Sequence, residues 1–98
     1  MLAIVKLALR ITTNAFDTEL QGLIDAAVEE MTGLGIVITS ESDGTPASLQ
    51  VQTAIIAYCK WLFGNNADAE RWEGIYHTKL AQLHTMTGYT DWDGTNNG

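Results

Sequence analysis

The sequence predicts an all-α fold: a small four-helix domain with a short N-terminal helix and three longer helices, a long loop between helices 2 and 3, and a flexible C-terminal tail. Three observations predict it. Apolar residues recur at intervals of three and four along most of the chain, which places them on one face of a helix. The run Ala54-Ile55-Ile56-Ala57-Tyr58-Cys59-Lys60-Trp61-Leu62-Phe63 is too apolar for a surface helix, and an asparagine pair and an acidic turn follow it, the pattern of a helical hairpin. The 98 residues suit one domain, which buries roughly 60 to 70% of the surface its unfolded chain exposes.

The first helix draws on Leu2-Ala3-Ile4-Val5-Lys6-Leu7-Ala8-Leu9-Arg10, with Val5, Leu9 and Leu2 as its buried stripe. It does not read as a secretion signal, because no basic leader precedes it and Lys6 interrupts it. It also falls far short of the ~20 apolar residues that span a bilayer. Arg10-Ile11-Thr12-Thr13-Asn14 then breaks the pattern. Phe16, Leu20, Leu23, Ile24, Ala27, Val28 and Met31 define a long amphipathic second helix. Asn14 is its expected cap, Asp17 and Glu19 suit the positive end of its dipole, and Gly33 and Gly35 end it.

Residues 33–46 lose the periodicity, and fourteen residues make a long connection in so small a domain. Such a segment either has a role of its own or contains a short element. Ile36-Val37-Ile38-Thr39 suits an extended stretch tacked to the core, and Ser40-Glu41-Ser42-Asp43-Gly44 a polar turn. Thr45-Pro46 is expected to open the third helix, a hydroxyl cap followed by proline at the first helical position. That helix runs to Phe63 or Gly64 with Leu49, Val51, Ala54, Ile55, Tyr58, Cys59 and Leu62 facing inward, which leaves Ile56, Trp61 and Phe63 on other faces. A helix apolar nearly all round is buried on more than one side, either centrally in the fold or against another subunit.

Asn65 and Asn66 form the next turn, and Trp72, Ile75, Tyr76, Lys79, Leu80, Leu83 and Met86 mark a fourth helix that ends near Gly88. The domain therefore covers residues 1–88. Residues 89–98 form a tail that is polar apart from Tyr89 and Trp92.

The chemistry is that of an interaction protein. Five Lys and Arg against twelve Asp and Glu give a net charge of -7, which opposes the cation-driven grip of nucleic-acid binding. The single cysteine, Cys59, lies in an apolar run with no disulfide partner and suits a reducing compartment. No catalytic, cofactor-binding or metal-binding residues are assigned. His77 and His84 are seven residues apart, too far for one ion without ligands from elsewhere. Asp91-Trp92-Asp93-Gly94 begins like a calcium loop, but the glutamate such a loop needs at its twelfth position is missing. Ala47-Ser48-Leu49 lacks the aspartate of a carrier-protein attachment site.

Three stretches, taken in their order and spacing, resemble the head-to-tail connector (adaptor) family of tailed bacteriophages. They are Lys6-Leu7-Ala8-Leu9-Arg10-Ile11, Leu20-Gln21-Gly22-Leu23-Ile24-Asp25-Ala26-Ala27, and residues 54–76 with Tyr58, Phe63-Gly64-Asn65-Asn66, Trp72 and Tyr76. The resemblance implies a structural virion protein without enzymatic activity, made in the host bacterial cytoplasm and placed at the head–tail interface. It implies a homo-oligomeric ring, dodecameric on the phage portal protein, that extends the DNA channel and offers a platform to a stopper or tail-completion protein. DNA would pass through the ring without specific binding, and no membrane is involved. A closed ring needs two complementary patches per subunit. Ile56, Trp61, Phe63, Tyr89 and Trp92 are the candidate interface residues. The alternative is a small acidic helical protein-binding module or regulator.

Overall fold

A computed structural model describes residues 1–63 and 67–85 of the chain. Within them lie four α-helices: α1 (Leu2–Leu9), α2 (Asp17–Gly33), α3 (Leu49–Leu62) and α4 (Ala69–Thr85). Helix α3 is the hub, packed against α1, α2 and most extensively α4. The sequence left open whether α3 is covered inside the fold or by another subunit. The fold itself covers it.

Its buried positions explain how one helix serves three neighbours. Val51, Ala54, Ile55, Ala57 and Cys59 are all buried, and they spread round the helix instead of forming one stripe. The small side chains at 54, 57 and 59 let neighbouring helices approach closely. Leu20, Ile24, Ala27 and Met31 of α2, Val5 of α1 and Tyr76, Leu80 and Leu83 of α4 complete the core. Leu49 and Leu62, expected to face inward, are exposed instead, because they occupy the two ends of α3.

Two helix starts differ from expectation. Asn14 does not cap α2: its side-chain oxygen accepts from Lys6 Nζ at 2.8 Å, and the cap position falls to Phe16 without a side-chain bond. Helix α3 begins after Ser48, whose Oγ accepts from the amides of Gln50 and Val51. Thr45-Pro46 is drawn instead into a small hairpin. Ser40 and Pro46 form an antiparallel bridge, flanked by Ala47 N–H donating to Thr39 O at 2.9 Å and Glu41 N–H to Thr45 O at 2.7 Å. Gly44 N–H closes the tip onto Glu41 O, with Gly44 at φ +87°, the left-handed position that such three-residue hairpin loops reserve for glycine. Of the two readings of the long connection, the structure shows the short element.

Helix α2 ends on a paired-bond cap: Ile36 N–H reaches Met31 O, Gly35 N–H reaches Thr32 O, and Gly35 sits at φ 89°. The cap delivers Ile36, itself buried, to the core beside Met31 and so plants the hairpin on the end of the bundle. Helix α1 ends the same way through Arg10, a non-glycine residue at φ 60°. The turn assigned to Asn65 and Asn66, Met86 and Gly88 at the end of the fourth helix, and the tail at residues 89–98 all lie outside the described residues.

These placements predict opposite outcomes for two leucines. Leu83→Ala removes a fully buried side chain and should cost about 2 to 5 kcal/mol. Leu49→Ala truncates a side chain that is 74% exposed and should shift stability by less than about 0.5 kcal/mol. Urea unfolding followed by circular dichroism checks both.

Candidate interaction surface

Four features of the surface bear on recognition. The first is an aromatic band along the α3–α4 seam. Tyr58 meets Tyr76 edge-on at 4.9 Å and Trp61 at 5.7 Å, and Trp61 also meets His77 at 5.7 Å. Tyr76 is fully buried, and its hydroxyl donates to Glu30 Oε1, which ties α4 to α2. Burial, with the Glu30 bond and charge behind it, pushes the Tyr76 hydroxyl well above the ordinary tyrosine range, so it stays a donor. Beyond this band, Trp72 is half-buried with Lys60 Nζ 4.3 Å from its ring centroid and Arg71 on it as well.

The second feature is the joint between α1 and α2. Lys6 Nζ lies 2.8 Å from Asp17 Oδ1 while also bonding Asn14. Asp17 Oδ1 is buried with no hydrogen-bond partner, so the adjacent ammonium is what compensates its charge. The joint explains why a lysine interrupts the apolar N-terminal helix.

The third is the hairpin and the hollow beside it, a space of ≈ 500 Å³ between α2 and the hairpin with an apolar floor of Ile24, Val28 and Ile38, a rim carrying Asp25, Glu29 and Asp43, and Met1 on its wall, whose N-terminal ammonium donates to Thr45 Oγ1 at 3.2 Å. Asp43 accepts from Thr45 N–H at 2.9 Å, and that bond is the main reason its carboxyl lies below the usual aspartate range.

The fourth is charge distribution. Between residues 17 and 46 the chain has seven carboxylates (Asp17, Glu19, Asp25, Glu29, Glu30, Glu41 and Asp43) and neither Lys nor Arg. Residues 47–85 hold three of each sign: Lys60, Arg71 and Lys79 against Asp68, Glu70 and Glu73. The excess negative charge of the described residues thus belongs to α2 and the hairpin, and the α3–α4 side is balanced.

The model of the Phage connector protein family matches residues 1–90, which takes in every helix described above. The chain belongs to that family. No curated protein and no solved structure matches it. Membership makes the connector a structural virion component of a family that is not typically enzymatic, and relates it to portal and tail proteins.

Of the connector's candidate interface residues, Ile56, Trp61 and Phe63 are half-buried and packed against the core. Trp61 belongs to the aromatic band, and Phe63 meets Phe16 edge-on at 5.4 Å across the α2–α3 end. Tyr89 and Trp92 lie outside the described residues. The apolar side chains most open to solvent are others, Leu7 at 80% and Leu49 at 74%. His77 and His84 are both exposed, and among the described residues no three His, Cys, Asp or Glu side chains converge on a metal-sized site. No described helix is long and apolar enough to cross a membrane.

Sequence reasoning missed the Lys6–Asp17 joint, the Glu30–Tyr76 tie and the acidic hollow. The first two are contacts between helices, which periodicity does not register. The Asp43-Gly44 pair did signal a turn, although not what the turn would face.

Burial pushes the Cys59 thiol up to about 12, so almost no thiolate exists at pH 8. In the native connector Cys59 should resist Ellman's reagent, and it should react fully once urea unfolds the chain. Asp43 predicts a pH effect. Because its carboxyl is lowered from 3.8 in the folded state, the turn it bonds is fully stabilised above that value and loses the contribution as pH falls through the lower folded value. In an NMR titration Asp43 should show a midpoint below 3.8, and the Thr45 amide resonance should move with it.

Proposed function

We propose that the connector assembles as a homo-oligomeric ring beneath the portal, dodecameric to match it, where it extends the DNA channel and seats a stopper or tail-completion protein. Family membership over residues 1–90 carries the reading. The uneven surface supports it: a cyclic ring joins two different faces of each subunit, and this chain has an acidic α2–hairpin side and a charge-balanced α3–α4 side. The exposed edges of Ile56, Trp61 and Phe63 are the proposed ring contacts on α3. Tyr89 and Trp92 are the proposed anchors toward the portal or a neighbour, since aromatic rings supply large contact area at low entropy cost. DNA passes without specific binding, consistent with a subunit charge of -7. The protein acts at the head–tail interface of the virion after synthesis in the host bacterial cytoplasm.

Repulsion between like-charged subunits opposes free assembly and is screened by salt. The isolated protein should therefore be monomeric or weakly associated in light scattering at low salt and should associate more at high salt. Negative-stain microscopy with its portal should show an added ring, and Trp92→Ala should weaken that attachment. A tight dimer insensitive to salt and concentration, with no density on the portal, would instead favour a protein-binding module.

A further inference from the structure

Ile36 is joined by a backbone bridge to a partner that lies outside the described residues. Its own N–H is already bonded to Met31 O, and Gly35 N–H to Thr32 O, so the pairing at Ile36 falls to the groups on either side of it, the Gly35 carbonyl and the Val37 N–H. Two stretches of the chain are available to supply the partner, residues 64–66 and residues 86–98.

Helix directions decide between them. Phe63 meets Phe16, so the end of α3 lies at the start of α2, whereas Ile36 follows the other end of that 17-residue helix, about 25 Å away. Residues 64–66 must link Phe63 to Ala67 and stray no more than roughly 8 Å from either. They fall short. Residue 86 starts from the correct end. As α4 advances, its contacts on α3 move back along the chain, from Tyr76 on Tyr58 to Lys79 Nζ donating to Gln50 Oε1 at 2.9 Å, so the two helices are antiparallel and Thr85 lies with Leu49 at the hairpin end. Tyr76 also bonds Glu30, which sets this half of α4 beside the last turns of α2. Five extended residues beyond Thr85 span about 17 Å.

The surface beside the bridge suits that stretch. A hollow of ≈ 400 Å³ there has an apolar floor of Val28, Ile36 and Ile38, and no charged side chain is among its lining residues. Met86-Thr87-Gly88-Tyr89-Thr90 is likewise uncharged, and the carboxylates of the tail begin only at Asp91. We propose that residues 86–90 add as a strand to the Ile36 edge, through the Gly35 carbonyl and the Val37 N–H, and so strap the end of α4 to the end of α2. The strap is a property of the isolated subunit and does not depend on ring formation. Only its consequence rests on the connector reading: it holds Tyr89, proposed above as an anchor, on the hairpin side of the subunit until a portal or neighbour draws it off.

Hydrogen exchange and NOE measurements by NMR on the full chain test the strap. The Val37 amide should exchange about tenfold or more slowly than the Thr39 amide and should show NOEs to residues 86–90, both independent of protein concentration. A chain ending at Thr90 should keep that protection. One ending at Thr85 should lose it while the Ile55 amide stays slow, the sign that the bundle is still folded. Should that shorter chain fail to fold, the NOEs of the full chain decide alone. Fast exchange at Val37 in the full chain overturns the proposal, as does protection that survives removal of residues 86–98. NOEs from Val37 to residues 64–66 or 91–98 place the bridge elsewhere and also overturn it, and protection that grows with concentration assigns the partner strand to a second copy instead. None of these results bears on the ring, which microscopy with the portal tests separately.

Discussion

Everything in this fold follows from the burial of α3 on three sides. A helix that must meet α1, α2 and α4 cannot carry a single apolar stripe, and it cannot carry bulky residues all round without forcing its neighbours apart. Its sequence meets both conditions, with alanine and cysteine at 54, 57 and 59 and larger side chains at 51 and 55. The remaining helices are then fixed through their contacts with it. Tyr76 is the clearest case: its ring packs on Tyr58 of α3 while its hydroxyl reaches Glu30 of α2, so one side chain sets α4 against both partners.

The same constraint explains which parts of the structure were legible in the sequence. Helix existence was legible because an amphipathic or all-round apolar helix leaves a 3.6-residue signature, and Leu20, Ile24, Ala27 and Met31 are buried at the spacing that signature requires. Inward positions were legible at Val51, Ala54, Ile55 and Cys59; buried Ala57 was missed, Tyr58 is half-buried, and Leu49 and Leu62 continue the pattern past the point where neighbours exist to cover them. The start of α3 was misplaced because Thr45-Pro46 and Ser48 both have the chemistry of a helix start. The hairpin decides between them, through backbone bonds from Ala47 and Glu41 that extend only if residues 45–47 stay extended. Pairing of that kind joins residues across a turn and has no local signature in a single strand of three or four residues.

Interaction residues were less legible for a related reason. Ile56, Trp61 and Phe63 were picked out as apolar residues off the main stripe, but a hub helix has no off-stripe face that is wholly free. Each is packed against the core and offers only part of its surface. The charge segregation was present in the sequence throughout. Its meaning depends on α2 and the hairpin lying side by side, which brings Asp25 and Glu29 to the same rim as Asp43.

A subunit that spends its apolar residues on its own centre has little left for strong self-association. Among the described residues, what remains exposed lies in small separate groups: Leu7 on α1, Leu34 and Val37 beside the end of α2, Leu49 at the start of α3, and Leu62 at its end with Phe16 against the neighbouring Phe63. Single exposed leucines do not make a stable dimer interface, which needs a contiguous apolar centre. Contacts built on isolated side chains and half-buried aromatic edges are weak one at a time and become effective when a template holds many copies at high local concentration. The proposed ring, assembled on a preformed symmetric partner, would supply that condition, whereas the repulsion of subunits carrying -7 each opposes rings in free solution. The burial of α3 and the acidity of α2 thus act in the same direction, against self-association in free solution, which is what the proposed assembly on a portal template requires.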